Sequence, residues 1–376
     1  MVSIAVLGYG TVGKGTVDLI DENRALIAEK IGEDIQVKYI VDLRDFAGDR
    51  NEKKLTKNYD DVLNDKEVSI VCEMIGGSHP AFEFTMKAFA AGKSVVTSNK
   101  EVVANFGTEL LAEAKKNGVS YLFEASVGGG IPIIRPLNNC LAANKIRKID
   151  AIVNGTTNFI LSQMFEQGVS FADALATAQQ KGYAEANPSA DVDGVDAARK
   201  IAILAAISWG ELLSPDHVYT CGIRDITGAD VAAAEKMGCT IKLIAHASRG
   251  EDNKLQIFVS PCMVKNDNIL STVRDVFNGV AVSGDFVGDT FFYGRGAGSD
   301  PTASAVCGDV IDAARNGRAK DRSSWTPMDP AAVRAYEDIE SVFCVIDEKG
   351  EPSFTEKTTL RALSAKCGKA RIFRLI

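Results

Sequence analysis

Two stretches of this 376-residue chain carry residue types whose spacing could do chemistry. The first is Gly8-Tyr9-Gly10-Thr11-Val12-Gly13. In a G-x-G-x-x-G loop the first glycine permits a tight turn, the second lets backbone N–H groups approach a pyrophosphate, and the third lets a helix close onto a strand. A helix opening at Thr11 and Val12 would present unpaired N–H groups and the positive end of its dipole to phosphates. An acidic residue at the end of the second strand, here Asp42, is placed to hydrogen-bond an adenosine ribose and favours NAD, whereas Arg44 could meet the 2′-phosphate of NADP. The residues leave that choice open.

The second stretch runs from Gly182 to Lys200 and crowds Glu185, Asp191, Asp193 and Asp196 into one loop and helix start. Asp196 and Lys200 are four apart, so on a helix they share a face. The apolar run that follows (Ile201, Ile203, Leu204, Ile207, Trp209) predicts that one side of this helix is buried. A lysine held near a partly buried carboxylate can act as a positioned acid. Read by itself, the cluster is as well a surface ion pair or a helix cap; the terminal glutamate of a calcium loop is missing.

These groups need a scaffold, and the pattern of the chain predicts one. Ser3 to Leu7, Ile35 to Val41, Val68 to Cys72, Ser94 to Thr97 and Tyr121 to Glu124 read as strands. Helical periods cover residues 14–30, Ala81 to Ala91 and Glu109 to Lys116. Strands alternating with helices predict a Rossmann-type, doubly wound parallel sheet. The glycines at 128–130 before Pro132 mark a boundary. Beyond them a strand at Ile149 to Val153, helices at 156–166, 170–181 and 196–209, and β-type runs between 239 and 292 predict an α/β domain with a mixed or antiparallel sheet. The expected organisation is a dinucleotide-binding domain at 1–132, completed by 299–325. A second domain follows at 133–298, catalytic and dimerising by the family resemblance that the motifs carry, and a tail at 326–376.

The bulk properties agree with a globular enzyme. The chain is 46% hydrophobic and 24% charged, and its net charge of -8 argues against nucleic acid or an anionic membrane as partner. No apolar run is long enough to span a bilayer, and the N-terminus has no basic segment or cleavage site of a signal peptide. Eight scattered cysteines without a C-x-x-C pair suit reduced thiols in a cytoplasmic protein. Three histidines in no metal spacing argue against a zinc-dependent alcohol dehydrogenase and point to lysine and carboxylates as the groups that move protons.

With the loop at 8–13 and the acidic turn through Lys200, further motifs complete a set. These are Thr97-Ser98-Asn99-Lys100, Glu124 through Pro132, Asn154 through Leu161, and Gly296-Ala297-Gly298 before Pro301-Thr302. In this order the chain resembles homoserine dehydrogenases over nearly all of residues 1–325. The resemblance implies NAD(P)-dependent interconversion of L-homoserine and L-aspartate 4-semialdehyde, a step toward threonine, methionine and isoleucine. It implies Lys200 as proton donor, and Asp196, Glu185 and Asp191 as residues holding the substrate. Lys100 would lie beside the nicotinamide, and Gly182 and Gly298 would contact the cofactor through their backbones. It also implies a structural sodium ion held by Glu124 with the carbonyls of Val127, Gly129 and Ile131, and a homodimer. This set of roles makes chemical sense, because a zwitterionic amino acid needs carboxylates for its ammonium and a developing alkoxide needs a cation or acid.

Many relatives of this kind end in a regulatory ACT module. Glu340 to Asp347 resembles its opening strand, but only residues 348–376 follow, so the tail is expected to be a remnant and threonine feedback through such a module to be absent.

Overall fold

A computed structural model describes residues 1–316, 324–368 and 370–376. The described residues divide into two compact units. Unit 1 comprises residues 1–136, 210–212 and 297–327, and unit 2 comprises 137–209, 213–296 and 328–376. Residues 317–323, which fall in the expected 299–325 completion of the first domain, lie outside the described residues.

In unit 1, β1 (Val2–Leu7) is followed by α1 (Thr11–Glu22), α2 (Arg24–Ile31) and β2 (Ile35–Val41). Next come β3 (Leu55–Thr56), α3 (Asp60–Asn64), β4 (Val68–Glu73), α4 (His79–Ala90), β5 (Ser94–Thr97), α5 (Lys100–Asn117) and β6 (Tyr121–Leu122). The strands pair in parallel in the order β3-β2-β1-β4-β5-β6. The order reverses between β1 and β4, and in such sheets ligands bind at the carboxyl ends of the strands flanking that switch point. β1 is buried along its whole length, which explains why Val2–Leu7 is nearly all apolar.

Two local expectations change. The single helical period at 14–30 is two helices, because Asn23 leaves helical geometry (φ -100, ψ 18) before Arg24 starts again. The strand expected at Tyr121 to Glu124 stops at Leu122, and Glu124 enters a 3-10 turn. There its buried carboxylate turns to meet backbone N–H groups, as described below. The helix Ser299–Asn316 belongs to unit 1 and packs against α1.

Unit 2 is built on a mixed sheet, nine-stranded among the described residues. Its strand β7 (Ile146–Ile152) lies between the antiparallel strands Cys239–Arg249 and Phe277–Gly284, and Gly288–Arg295 forms one edge. The helices are α6 (Gly155–Gln167), α7 (Phe171–Gln180), α8 (Ser189–Val192), α9 (Val195–Trp209) and Gly228–Lys236. α6 and α9 lie against the central strands. The tail is part of this sheet: Arg371–Leu375 runs parallel to Leu255–Lys265 and antiparallel to Phe343–Ile346. The interdomain assignments of the sequence therefore meet a chain that returns more than once, with Gly210–Leu212 pairing beside Thr326–Pro327 in unit 1.

Candidate active site

In unit 1 the glycine loop does what its spacing requires. Gly8 has φ +90, and a Cβ there would sit 2.8 Å from the Met74 carbonyl oxygen, on the loop that follows β4. A Cβ on Gly13 would stand 1.9 Å from the Gly8 oxygen, so only glycine lets α1 start this close to the turn. Gly10 caps α1 without a side chain, leaving the N–H groups of its first turn, at Thr11 and Val12, for a ligand. A cavity of about 630 Å³ lies over this start, lined among others by Tyr9, Gly10, Thr11, Lys14 and Ser299. The Ser299 hydroxyl donates to the Thr11 carbonyl at 3.1 Å, so the helix at 299 anchors the loop. Just before it, Gly298 has φ +122, a conformation suited to glycine.

Asp42 accepts the Tyr9 N–H at 2.8 Å and a two-pronged bond from the Arg44 guanidinium at 3.0 and 2.8 Å. Arg44 holds the Asp42 carboxyl well below the usual carboxylate range. Both residues weighed in the cofactor choice thus form one ion pair beside the loop, and Arg44 Nη2 lies 4.0 Å from where a Gly10 Cβ would be.

Lys100 is the first residue of α5 and is half-buried. The helix start is capped by Asn99, whose side-chain oxygen accepts from the Glu101 and Val102 N–H groups. The Asn99 amide also donates to the carbonyls of Ile75 and Gly77 at 3.0 and 2.7 Å, tying α5 to the loop after β4. Below it the buried Glu73 accepts from Thr97 Oγ1 and the Ile75 N–H, both at 2.6 Å. Burial pushes the Glu73 carboxyl up to about 7, against those hydrogen bonds. Sequence reasoning missed Asn99 and Glu73 as positioning residues; the Thr97-x-Asn99 spacing before a helix was the available signal for Asn99.

In unit 2, α9 brings Asp196 and Lys200 together. Lys200 Nζ donates to Asp196 Oδ2 and to the Val153 carbonyl, both at 2.7 Å. Asp196 is 5% and Lys200 8% exposed, so the surface-pair alternative does not hold. Asn154, the N-cap of α6, donates through its amide to Asp191 Oδ1 at 2.7 Å and Asp196 Oδ2 at 3.0 Å. Asn154 therefore gathers two of the expected carboxylates around the lysine, a role no local spacing announced. Glu185 is exposed on the turn before α8, and Gly182 (φ +74) ends α7 in left-handed geometry. Thr156 donates to the Tyr183 carbonyl at 2.6 Å, which ties that turn to the start of α6. Asp193 faces Arg224 rather than the lysine.

At the expected sodium site Glu124 is engaged by backbone N–H groups. Glu124 Oε1 accepts the N–H groups of Ile133 and Ile134 at 2.6 and 2.9 Å, and Oε2 accepts that of Arg135 at 2.6 Å. These three N–H bonds shape the 128–135 turn, and a carboxylate, with about four acceptor sites, keeps room for one more partner. Val127, Gly129 and Ile131 could contribute only backbone carbonyls. Among the described residues no group of three or more His, Cys, Asp or Glu side chains could hold a metal.

Comparison with known proteins adds an independent line. The family model described as "Homoserine dehydrogenase" matches residues 132–311, and that described as "Homoserine dehydrogenase, NAD binding domain" matches residues 8–124. The homoserine dehydrogenase of Synechocystis sp. is 45% identical over 318 residues, covering 83% of this chain and 73% of its own length. That of Pseudomonas aeruginosa is 43% identical over 315 residues, covering 84% and 72%. A crystal structure of a homoserine dehydrogenase from Thiobacillus denitrificans superposes with a TM-score of 0.89 at 35% identity, covering 100% of this chain and 98% of that one. A hyperthermophilic archaeal homoserine dehydrogenase in complex with NADPH gives 0.71 at 30% identity, covering 84% and 98%.

Proposed function

Because the chain belongs to the homoserine dehydrogenase family, we propose that Lys200 exchanges the proton when L-homoserine and L-aspartate 4-semialdehyde are interconverted. The protein is an oxidoreductase acting on a CH–OH group with a nicotinamide dinucleotide. When bound, the dinucleotide supplies or accepts the hydride. The fit of the loop at 8–13 to a pyrophosphate rests on Gly8 and Gly13, where any side chain would collide with backbone.

The observation that carries the assignment is the buried ammonium of Lys200, held at 2.7 Å by both Asp196 and the Val153 carbonyl. In the reduction, Lys200 gives a proton to the aldehyde oxygen as negative charge develops there. In the oxidation, the neutral amine takes the hydroxyl proton. Asp196 positions the ammonium, and Asn154 orients Asp196. Asp191 and Glu185 bind the substrate ammonium, for which their charge is suited. Lys100 steadies the alkoxide or the cofactor as a second cation. Gly182 and Gly298 offer backbone contacts to the cofactor. No step of the reaction uses a metal ion; a structural sodium ion would be held by the carbonyls of Val127, Gly129 and Ile131 with the acceptor site Glu124 keeps beyond its three N–H bonds.

For the cofactor, the Asp42–Arg44 pair supports use of both NAD and NADP, the aspartate suiting a ribose hydroxyl and the arginine a 2′-phosphate. Two copies of the chain form a homodimer in this reading; exposed Phe286 and Tyr293 at the edge hairpin supply apolar surface for association. Action in the cytoplasm accords with eight cysteines that are all free thiols. No helix among the described residues is long and apolar enough to cross a membrane.

The test is turnover of L-homoserine by purified protein with NAD+ and with NADP+, repeated for Lys200→Met. Turnover in the wild type and its loss in the variant, with NADPH still bound as seen by nicotinamide fluorescence, is the expected result. A variant with near-normal kcat would remove Lys200 from this role.

A further inference from the structure

Unit 2 holds a second buried lysine that the reaction does not use. Lys242 lies on the strand Cys239–Arg249 and is 3% exposed. Its Nζ donates to Asn158 Oδ1 at 3.0 Å and to the Val273 carbonyl at 2.5 Å, both uncharged acceptors. Among the described residues no carboxylate is hydrogen-bonded to it. Asn158 has nothing more to give, because its amide already donates to the carbonyls of Val273, Asp275 and Phe277. A buried ammonium without a counter-charge costs several kcal/mol, so such a group is retained where something offsets it.

Lys242 also lines a cavity of about 430 Å³. Ser162 and Thr240 line it as well, both buried, and Arg274 and Glu166 stand at its rim, paired at 2.9 Å. The charges facing this space are two cations and one carboxylate, a balance of one positive. The Ser162 oxygen accepts the Asp275 N–H at 3.1 Å, which leaves its hydroxyl proton to donate. The cavity therefore offers one buried ammonium, a guanidinium and hydroxyl donors, the set that recognises an anion with several oxygens.

We propose that this cavity binds a small oxyanion, a carboxylate or a phosphate, seated on Lys242 with Arg274 as its outer cation. Burial holds the Lys242 ammonium down to about 8, with Arg274 acting in the same direction and Glu166 in the opposite one. An anion would supply a counter-charge in direct contact with the ammonium, where the hydrogen-bond partners are now uncharged and Glu166 stands only at the rim. The full-size site is separate from Lys200: the two lysines sit on different elements and share no hydrogen-bond partner.

The test is isothermal titration calorimetry of the full chain at pH 7 in chloride-free buffer, with saturating NADPH to occupy the pyrophosphate loop. One arm uses inorganic phosphate and the other succinate. Saturable one-site binding of either, weakened at least tenfold in Lys242→Met, supports the site, and the arm that binds identifies the anion class. Arg274→Gln, an exposed position, should weaken the same binding several-fold and decides the matter if Lys242→Met does not fold. Absence of saturable heat in both arms, or affinity unchanged in whichever variant folds, overturns the proposal.

Discussion

Asp196 and Lys200 are joined across one turn of α9, with carboxylate oxygen and ammonium 2.7 Å apart and both side chains buried. The same oxygen accepts from Asn154, and the same ammonium donates to the Val153 carbonyl. A cation is thus held in place by the end of β7 and the start of α6, without being exposed to bulk water. An ion pair at this depth needs further hydrogen bonds to offset desolvation, and the Asn154 amide and the Val153 carbonyl each supply one.

Replacing Lys200 by Met should lower kcat by about a hundredfold or more, the range expected when a general acid is removed. The apolar stem is kept, so the helix should persist. Steady-state kinetics beside far-ultraviolet circular dichroism would check this. Loss of activity with loss of helix would instead point to a structural part for the lysine.

Asn154→Ala should cost both stability and turnover. The N-cap of α6 is lost, worth about 1 kcal/mol, and Asp191 and Asp196 lose a shared donor. We expect a lower thermal midpoint and kcat/KM reduced about tenfold, one hydrogen bond to a charged group being worth roughly that factor. A variant that loses stability alone would show that Asn154 caps the helix and does nothing for the carboxylates.

Arg44→Ala separates the two cofactors. Its guanidinium now pairs with Asp42, and a 2′-phosphate would compete for it. KM for NADPH should rise about tenfold, the loss of a charge-assisted contact, while that for NADH changes little. Equal effects on both coenzymes would leave Arg44 no part in telling them apart.

Glu73 makes stability depend on pH. Its carboxyl titrates at about 7 in the folded chain, above its ordinary 4.5, so the folded state binds the proton more tightly than the unfolded state. Stability must then be greatest below about pH 4.5, fall as pH rises toward 7, and stay level above, as far as this group is concerned. The span is on the order of 3 kcal/mol. Glu73→Gln should flatten that part of a denaturation profile measured between pH 4.5 and 8; an unchanged slope would assign the effect to other groups.

Much of this was legible in the residues because it is local. The close approach of Gly13 to Gly8 follows from short-range sterics, and Asp196 meets Lys200 because a helix repeats every 3.6 residues. The parallel sheet of unit 1 follows from strands and helices alternating along the chain. The break at Asn23 was less visible, since the apolar period runs through it.

What the tertiary structure decided is long-range. Asn154 reaches Asp191 and Asp196 across 37 and 42 residues. Glu124 turns to three N–H groups that only the 128–135 bend brings within reach, while Glu185 is left exposed. The tail joins the sheet beside Leu255–Lys265, more than a hundred residues away. Hydrophobic periodicity says that a face is buried but not against what, and a carboxylate or amide has several partners that would satisfy it equally well. Which partner it meets is set by how the whole unit packs, and no window of sequence contains that sum.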